Sequence, residues 1–107
     1  MRAAARAARL PGVEDATAYG TPALKVRKKL LARVKDADTL VIMCPVEEKE
    51  MLIEAAPAIY FETDHYKGWS AGLVRVSQIG AAELRVQLER AWRLQAPKRL
   101  VSARDQA

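Results

Sequence analysis

Four groups of side chains in this 107-residue chain are of types that could do chemistry. Cys44 stands at the start of an expected helix, where the amide dipole lowers a thiol pKa, and His65 is the single imidazole available as its base. No spacing signature links the two, so a buried, inert Cys44 is the expectation and no enzyme is expected. Glu47, Glu48, Glu50 and Glu54 share the same expected helix, and Glu50 and Glu54, one turn apart, could share a hard cation. A solvated acidic first turn explains that spacing as well, and neither a metal nor a cofactor is expected. The third group is basic: Lys25, Arg27, Lys28, Lys29, Arg33 and Lys35, extended by Lys67 and Arg75. The fourth is aromatic, Tyr66 and Trp69 on either side of Lys67. Cations of this kind take phosphates with a salt-dependent, sequence-independent affinity, and the two rings can stack on the bases of single strands or distorted sites. No helix-turn-helix, zinc-finger or aromatic ribonucleoprotein signature accompanies them, so readout of base sequence is not expected.

Charge is distributed unevenly along the chain. Nine Lys or Arg in residues 1–35 face Glu14 and Asp15, a net of +7; three in residues 36–83 face nine acids, a net of −6; six in residues 84–107 face two acids, a net of +4. A basic outer shell around an acidic middle suits a polyanionic partner, and solvated surface residues give the same count. Cys44 is the only cysteine, which excludes an internal disulfide and a cysteine-rich zinc site and suits a reducing compartment, the cytoplasm. Arg2, Arg6 and Arg9 interrupt the first ten residues, so no signal-peptide core is expected there, and the apolar run Leu40 to Cys44 is too short to span a bilayer.

These residues must be positioned by the elements around them. Met1 to Leu10 has the composition of a helix, stopped by Pro11-Gly12. Alternation from Leu24 to Lys35 predicts a hairpin; with a three-residue connection, Arg27-Lys28-Lys29, the residues Leu24, Val26, Leu30, Ala32 and Val34 share the core face and Lys25, Arg33 and Lys35 the other. Thr39 to Cys44 reads as a central strand, Pro45 to Ala55 as a helix with Leu52, Ala55 and Ala56 inward, and Ile59 to Phe61 as a short strand. A polar turn from Thr63 to Gly68 leads into a strand from Gly72 to Val76 and a helix ending at Ala96-Pro97. In that helix Ala81, Leu84, Leu88, Ala91 and Trp92 form one stripe, and Gly80 with Glu83 is an expected cap. The whole is expected to be one compact α+β domain over residues 1–107, an antiparallel sheet with helices packed on one side, and residues 101–107 a disordered tail.

Four stretches in order, Leu10-Pro11-Gly12-Val13, Tyr19-Gly20-Thr21-Pro22, Asp64-His65-Tyr66-Lys67-Gly68-Trp69 and Ala91-Trp92-Arg93-Leu94-Gln95-Ala96-Pro97-Lys98-Arg99, resemble the MmcQ/YjbR-like proteins over nearly the whole chain. The resemblance implies a fold similar to the CyaY/frataxin type, an association with DNA through exposed sheet and loops, and no known catalytic centre. Lys28 stands where many relatives carry a turn-forming Asp or Gly, which adds a charge at the hairpin tip.

The expected activity is non-enzymatic, weak and salt-dependent binding of DNA, single strands included, through Lys25, Arg27, Lys28, Lys29, Arg33, Lys35, Tyr66, Lys67, Trp69 and Arg75. The alternative is a protein- or small-ligand-binding module without a nucleic-acid role, a homodimer among its forms. It rests on Leu31, Leu73 and the two-sided strand Leu40 to Cys44, which would leave apolar side chains on an open sheet face.

Overall fold

The computed structural model describes residue 1 and residues 8–106. The helix expected over Met1 to Leu10 lies largely outside the described residues. Six strands, β1 (Val13–Ala18), β2 (Thr21–Val26), β3 (Lys29–Asp36), β4 (Thr39–Met43), β5 (Tyr60–Phe61) and β6 (Ala71–Arg75), form one antiparallel sheet in the order β1-β2-β3-β4-β6-β5. Helix α1 (Val46–Ala55) and a short 3-10 turn (Asp64–Tyr66) lie in the connections around β5; α2 (Ala81–Gln95) and α3 (Lys98–Gln106) complete the single α+β domain.

Helix α2 covers the sheet with the stripe its spacing predicts: Leu84, Leu88, Ala91 and Trp92 are buried, with Gln87 between them. Ala81 is exposed, because the stripe begins one turn later. Gly80 is the N-cap, but Glu83 does not close a capping box; its carboxylate instead accepts the Tyr60 hydroxyl proton at 2.9 Å. Trp92 is fully buried and donates its indole N–H to the Pro11 carbonyl at 2.8 Å, fixing the chain entry to β1. Leu24, Val26, Ala32, Leu40, Ile42, Tyr60 and Val74 meet this stripe from the sheet.

The hairpin differs from its expected register in an instructive way. Its connection has two residues, with Val26 opposite Lys29 and positive φ at Arg27 (49°) and Lys28 (70°), the handedness a right-twisted two-residue turn demands. Two residues alone would turn the far arm inside out. A bulge corrects this: Leu24 pairs with Ala32 while the adjacent Lys25 pairs with Leu30, and Leu31 is the extra residue. Leu31 therefore takes the core position expected of Leu30, and Leu30 lies on the opposite face beside Lys25.

Two elements extend the expected set. Strand β1 forms from Val13-Glu14-Asp15-Ala16-Thr17-Ala18, joined to β2 by Tyr19-Gly20, again with positive φ at both turn residues. Residues 101–106, expected in a disordered tail, form the last two thirds of α3. Leu100 and Val101 pack on the main core, and a Cβ on Gly12 would stand 3.2 Å from Leu100 Cδ1. No described helix is long and apolar enough to cross a membrane.

Candidate functional site

The face of the sheet away from the helices carries a smaller apolar cluster, Val41, Tyr66, Ala71 and Leu73, flanked by Met43 and Phe61. Strand pairing lines up Ala16, Ala23, Arg33, Val41, Leu73 and Phe61 across this face in one row. The segment from Glu62 to Ser70 folds over part of the row and leaves a cleft of about 540 Å³ beside it. Its lining joins residues remote in the chain, Tyr19, Leu30, Arg33, Val41, Met43 and the His65 to Ala71 wall.

A buried cation holds that wall. Lys49 on α1 is 2% exposed, and its ammonium donates to the carbonyls of Tyr66 (2.8 Å), Trp69 (2.8 Å) and Ala71 (3.2 Å) and pairs with the Glu62 carboxylate at 3.0 Å. Four oxygens around one ammonium offset its desolvation and set the path of the segment. Gly72 makes room for the clamp, since a Cβ there would lie 3.3 Å from the Lys49 methylenes. Lys49 was not among the expected site residues. The signal for it was its place at the head of the helical stripe 49, 52, 53, 56, where Leu52, Ile53 and Ala56 pack inward and Ala55, expected there, is exposed.

Within the cleft, Arg33 is half-buried, donates from Nη2 to the Tyr66 hydroxyl at 2.9 Å, and sits 4.9 Å from the Tyr19 ring centroid. Trp69 is 62% exposed and stacks on His65, with centroids 6.0 Å apart and planes at 18°. His65 in turn meets Tyr66 edge-on at 5.0 Å. Tyr66 is only 8% exposed, so it is a floor residue and not a free stacking platform; its ring is needed to cover Val41 and Leu73. Tyr19, 87% exposed at the tip of the β1-β2 turn, supplies the second free ring, which the sequence reading did not include.

The other expected residues are placed as follows. Lys25 shares the open face, directly opposite Glu14, and Arg27 and Lys28 project from the hairpin tip. Lys29 pairs with Val26 and so belongs to the helix-side margin, not the open face. Lys35 and Lys67 are exposed, outside the cleft lining. Arg75 is committed elsewhere: its guanidinium lies 4.0 Å from the Phe61 ring centroid and donates to the Pro57 carbonyl at 3.2 Å. Of the apolar residues expected on an open face, Leu31 is on the helix side, and Val41 and Leu73 are buried beneath Tyr66 and Phe61.

The remaining candidates are placed apart from one another. Burial pushes the Cys44 thiol pKa up, the direction opposite to nucleophile activation, and Cys44 lines a small internal space with Ile42, Leu52 and Tyr60 while His65 faces the cleft on the other side. Burial likewise raises the Tyr60 hydroxyl, helped by the Glu83 carboxylate that accepts its proton. Glu47, Glu50 and Glu54 are solvent-exposed on α1, and among the described residues no three His, Cys, Asp or Glu side chains converge.

Similarity to known proteins supports kinship more than chemistry. Uncharacterized protein Rv2570 of Mycobacterium tuberculosis and uncharacterized protein Mb2600 of Mycobacterium bovis are each 44% identical to this chain over 55 residues, 51% of the chain and 43% of the relative. The matched stretch thus spans less than half of those relatives' length. No solved structure matches the chain significantly. Residues 8–94 match the family described as YjbR, most of the chain and all six strands included, so the chain belongs to the YjbR, or MmcQ/YjbR-like, family.

Proposed function

We propose that this protein binds DNA without chemistry, preferring single strands, along the open sheet face. The observation that carries the reading is the placement of two exposed rings, Trp69 and Tyr19, on the same uncovered face as Arg33 and Lys25, with the Arg27-Lys28 turn at the opposite end of β2 from Tyr19. Phosphates lie along the cations and supply affinity without sequence preference. Bases stack on the rings, which a regular duplex cannot offer. Tyr66, Lys29 and Arg75 leave the set of direct contacts, for the reasons their burial, register and partners supply. A CyaY-type arrangement is the finer fold we infer from the family resemblance, supported by the six antiparallel strands with helices on one side. The single buried thiol supports a cytoplasmic setting.

The test is fluorescence anisotropy of a labelled oligothymidine strand and its duplex across a salt series. Arg27→Gln/Lys28→Gln is expected to weaken the strand and flatten the log–log salt slope by about 1.4, the share of two phosphates on a single strand. Trp69→Ala is expected to cost about 1–3 kcal/mol on the strand and little on the duplex. Absence of binding at low salt overturns the reading. A small-ligand module is the second reading, favoured by a cleft of about 540 Å³, inside the range of about 300–1,000 Å³ usual for such sites.

A further inference from the structure

The cleft has a chemical bias of its own, separate from the hairpin charges. Among the described lining residues Arg33 supplies the one guanidinium, and none of them is a carboxylate. The guanidinium is half-buried between aromatic rings, and among the described residues no carboxylate pairs with it. A cation partly removed from water with no counter-ion is a standing attraction for an anion. It is also aimed in advance, gripped by the Tyr66 hydroxyl at 2.9 Å on one side and the Tyr19 ring on the other. Because Tyr66 accepts in that bond, its own hydroxyl proton remains to donate, so guanidinium and phenol present adjacent donors. Apart from Ser70, the rest of the described lining is apolar or aromatic: Leu30, Val41, Met43 and Ala71, with the Trp69 indole stacked on His65 as a flat wall.

We propose that the cleft is a seat for a small planar aromatic anion of one or two rings, its ring against Trp69 and Tyr19 and its carboxylate on the Arg33 guanidinium and the Tyr66 hydroxyl. The volume suits two fused rings with one acid group. Lys25, Arg27 and Lys28 lie outside the lining, so this seat shares Arg33, Tyr19 and Trp69 with the strand-binding reading but not its hairpin cations.

The test is calorimetric titration of the full chain with 2-naphthoate, its neutral analogue 2-naphthamide, and adenosine 5′-monophosphate, with indole fluorescence read in parallel. Saturable binding of naphthoate is expected, with the amide about ten- to a hundredfold weaker, the range of a hydrogen bond to a charged group. The comparison of acid and amide uses the unaltered protein and needs no folded variant. Arg33→Gln is expected to bring naphthoate down to the level of the amide, Tyr66→Phe to weaken it several-fold, and the exposed Arg99→Gln to leave it unchanged. Equal affinity for acid and amide, or no saturation by naphthoate, overturns the proposal. Tighter binding of the nucleotide than of naphthoate overturns the carboxylate and assigns the seat to a phosphate-bearing base. A strand that binds in the anisotropy assay while naphthoate does not overturns this seat alone and leaves the nucleic-acid reading standing.

Discussion

Lys49 shows how much one side chain can organise. It stands at a core position of α1 and is enclosed, with three carbonyls and Glu62 around its ammonium. Replacing it by Met leaves those oxygens without a donor, so Lys49→Met is expected to cost about 3–5 kcal/mol in urea unfolding, the range for breaking a buried ion pair. Amide exchange should accelerate first between Glu62 and Ala71, because the clamp ties that segment to α1. This residue was legible in the sequence only as a break in an apolar stripe. Its partners were not, since carbonyls 17 to 22 residues away leave no mark in residue type. The same limit applies across the cleft. Arg33, Tyr66 and Trp69 could each be singled out by type, but the bond between Arg33 and Tyr66 bridges 33 residues and leaves no mark in the sequence.

At the scale of elements, periodicity served where it was strong. The α2 stripe, the apolar β4 and the Pro45 start of α1 all appear close to where the spacing places them. Strand β1 was missed because Glu14-Asp15-Ala16-Thr17 carries no apolar alternation; it is an edge strand whose pairing with β2 gives it its shape. Helix α3 was missed because polar residues after Pro97 read as a tail until Leu100 and Val101 are seen to reach the core. The run Leu30-Leu31-Ala32 has no phase of its own, so the bulge that sorts it was invisible. The turn that requires the bulge is strained, with two long side chains at positive φ. Arg27→Asn/Lys28→Gly is expected to stabilise the fold by about 1 kcal/mol, the left-handed penalty less the entropy of the added glycine. Calorimetry should then record a rise in Tm of about 4–8 °C. The same pair removes two cations, so under the proposed function the variant should be more stable and bind a strand less well.

Over the whole molecule, α3 closes the chain against its own beginning. Arg93 pairs with Asp105 at 2.7 Å and with Glu89 at 3.1 Å, and Arg104 pairs with Glu89 at 2.8 Å and donates to the Arg9 carbonyl at 3.2 Å. The bond from Arg104 holds the Glu89 carboxyl below its ordinary 4.5, and Arg93 holds Asp105 below 3.8. Depressed carboxylates contribute stability that is complete above their ordinary values and is lost as pH falls through the folded-state values. Thermal scans from about pH 6 to about pH 3 should therefore show Tm falling at the acid end, more steeply in the parent than in Glu89→Gln/Asp105→Asn. High salt should blunt the difference, because these pairs are largely exposed.

The strand order also dictates how the chain must assemble. Strands β1 to β4 pair with one another in sequence order, each through a short turn, so that meander can form from local contacts. Strand β6 cannot; it enters between β4 and β5, and its first pair, Met43 with Ala71, closes an excursion of 27 residues. Closing that loop costs the most chain entropy of any step in the sheet. Lys49 lies inside the excursion and meets its far end, so the seated β6, the buried ammonium and the cleft wall depend on one another, and the candidate site needs all three in place.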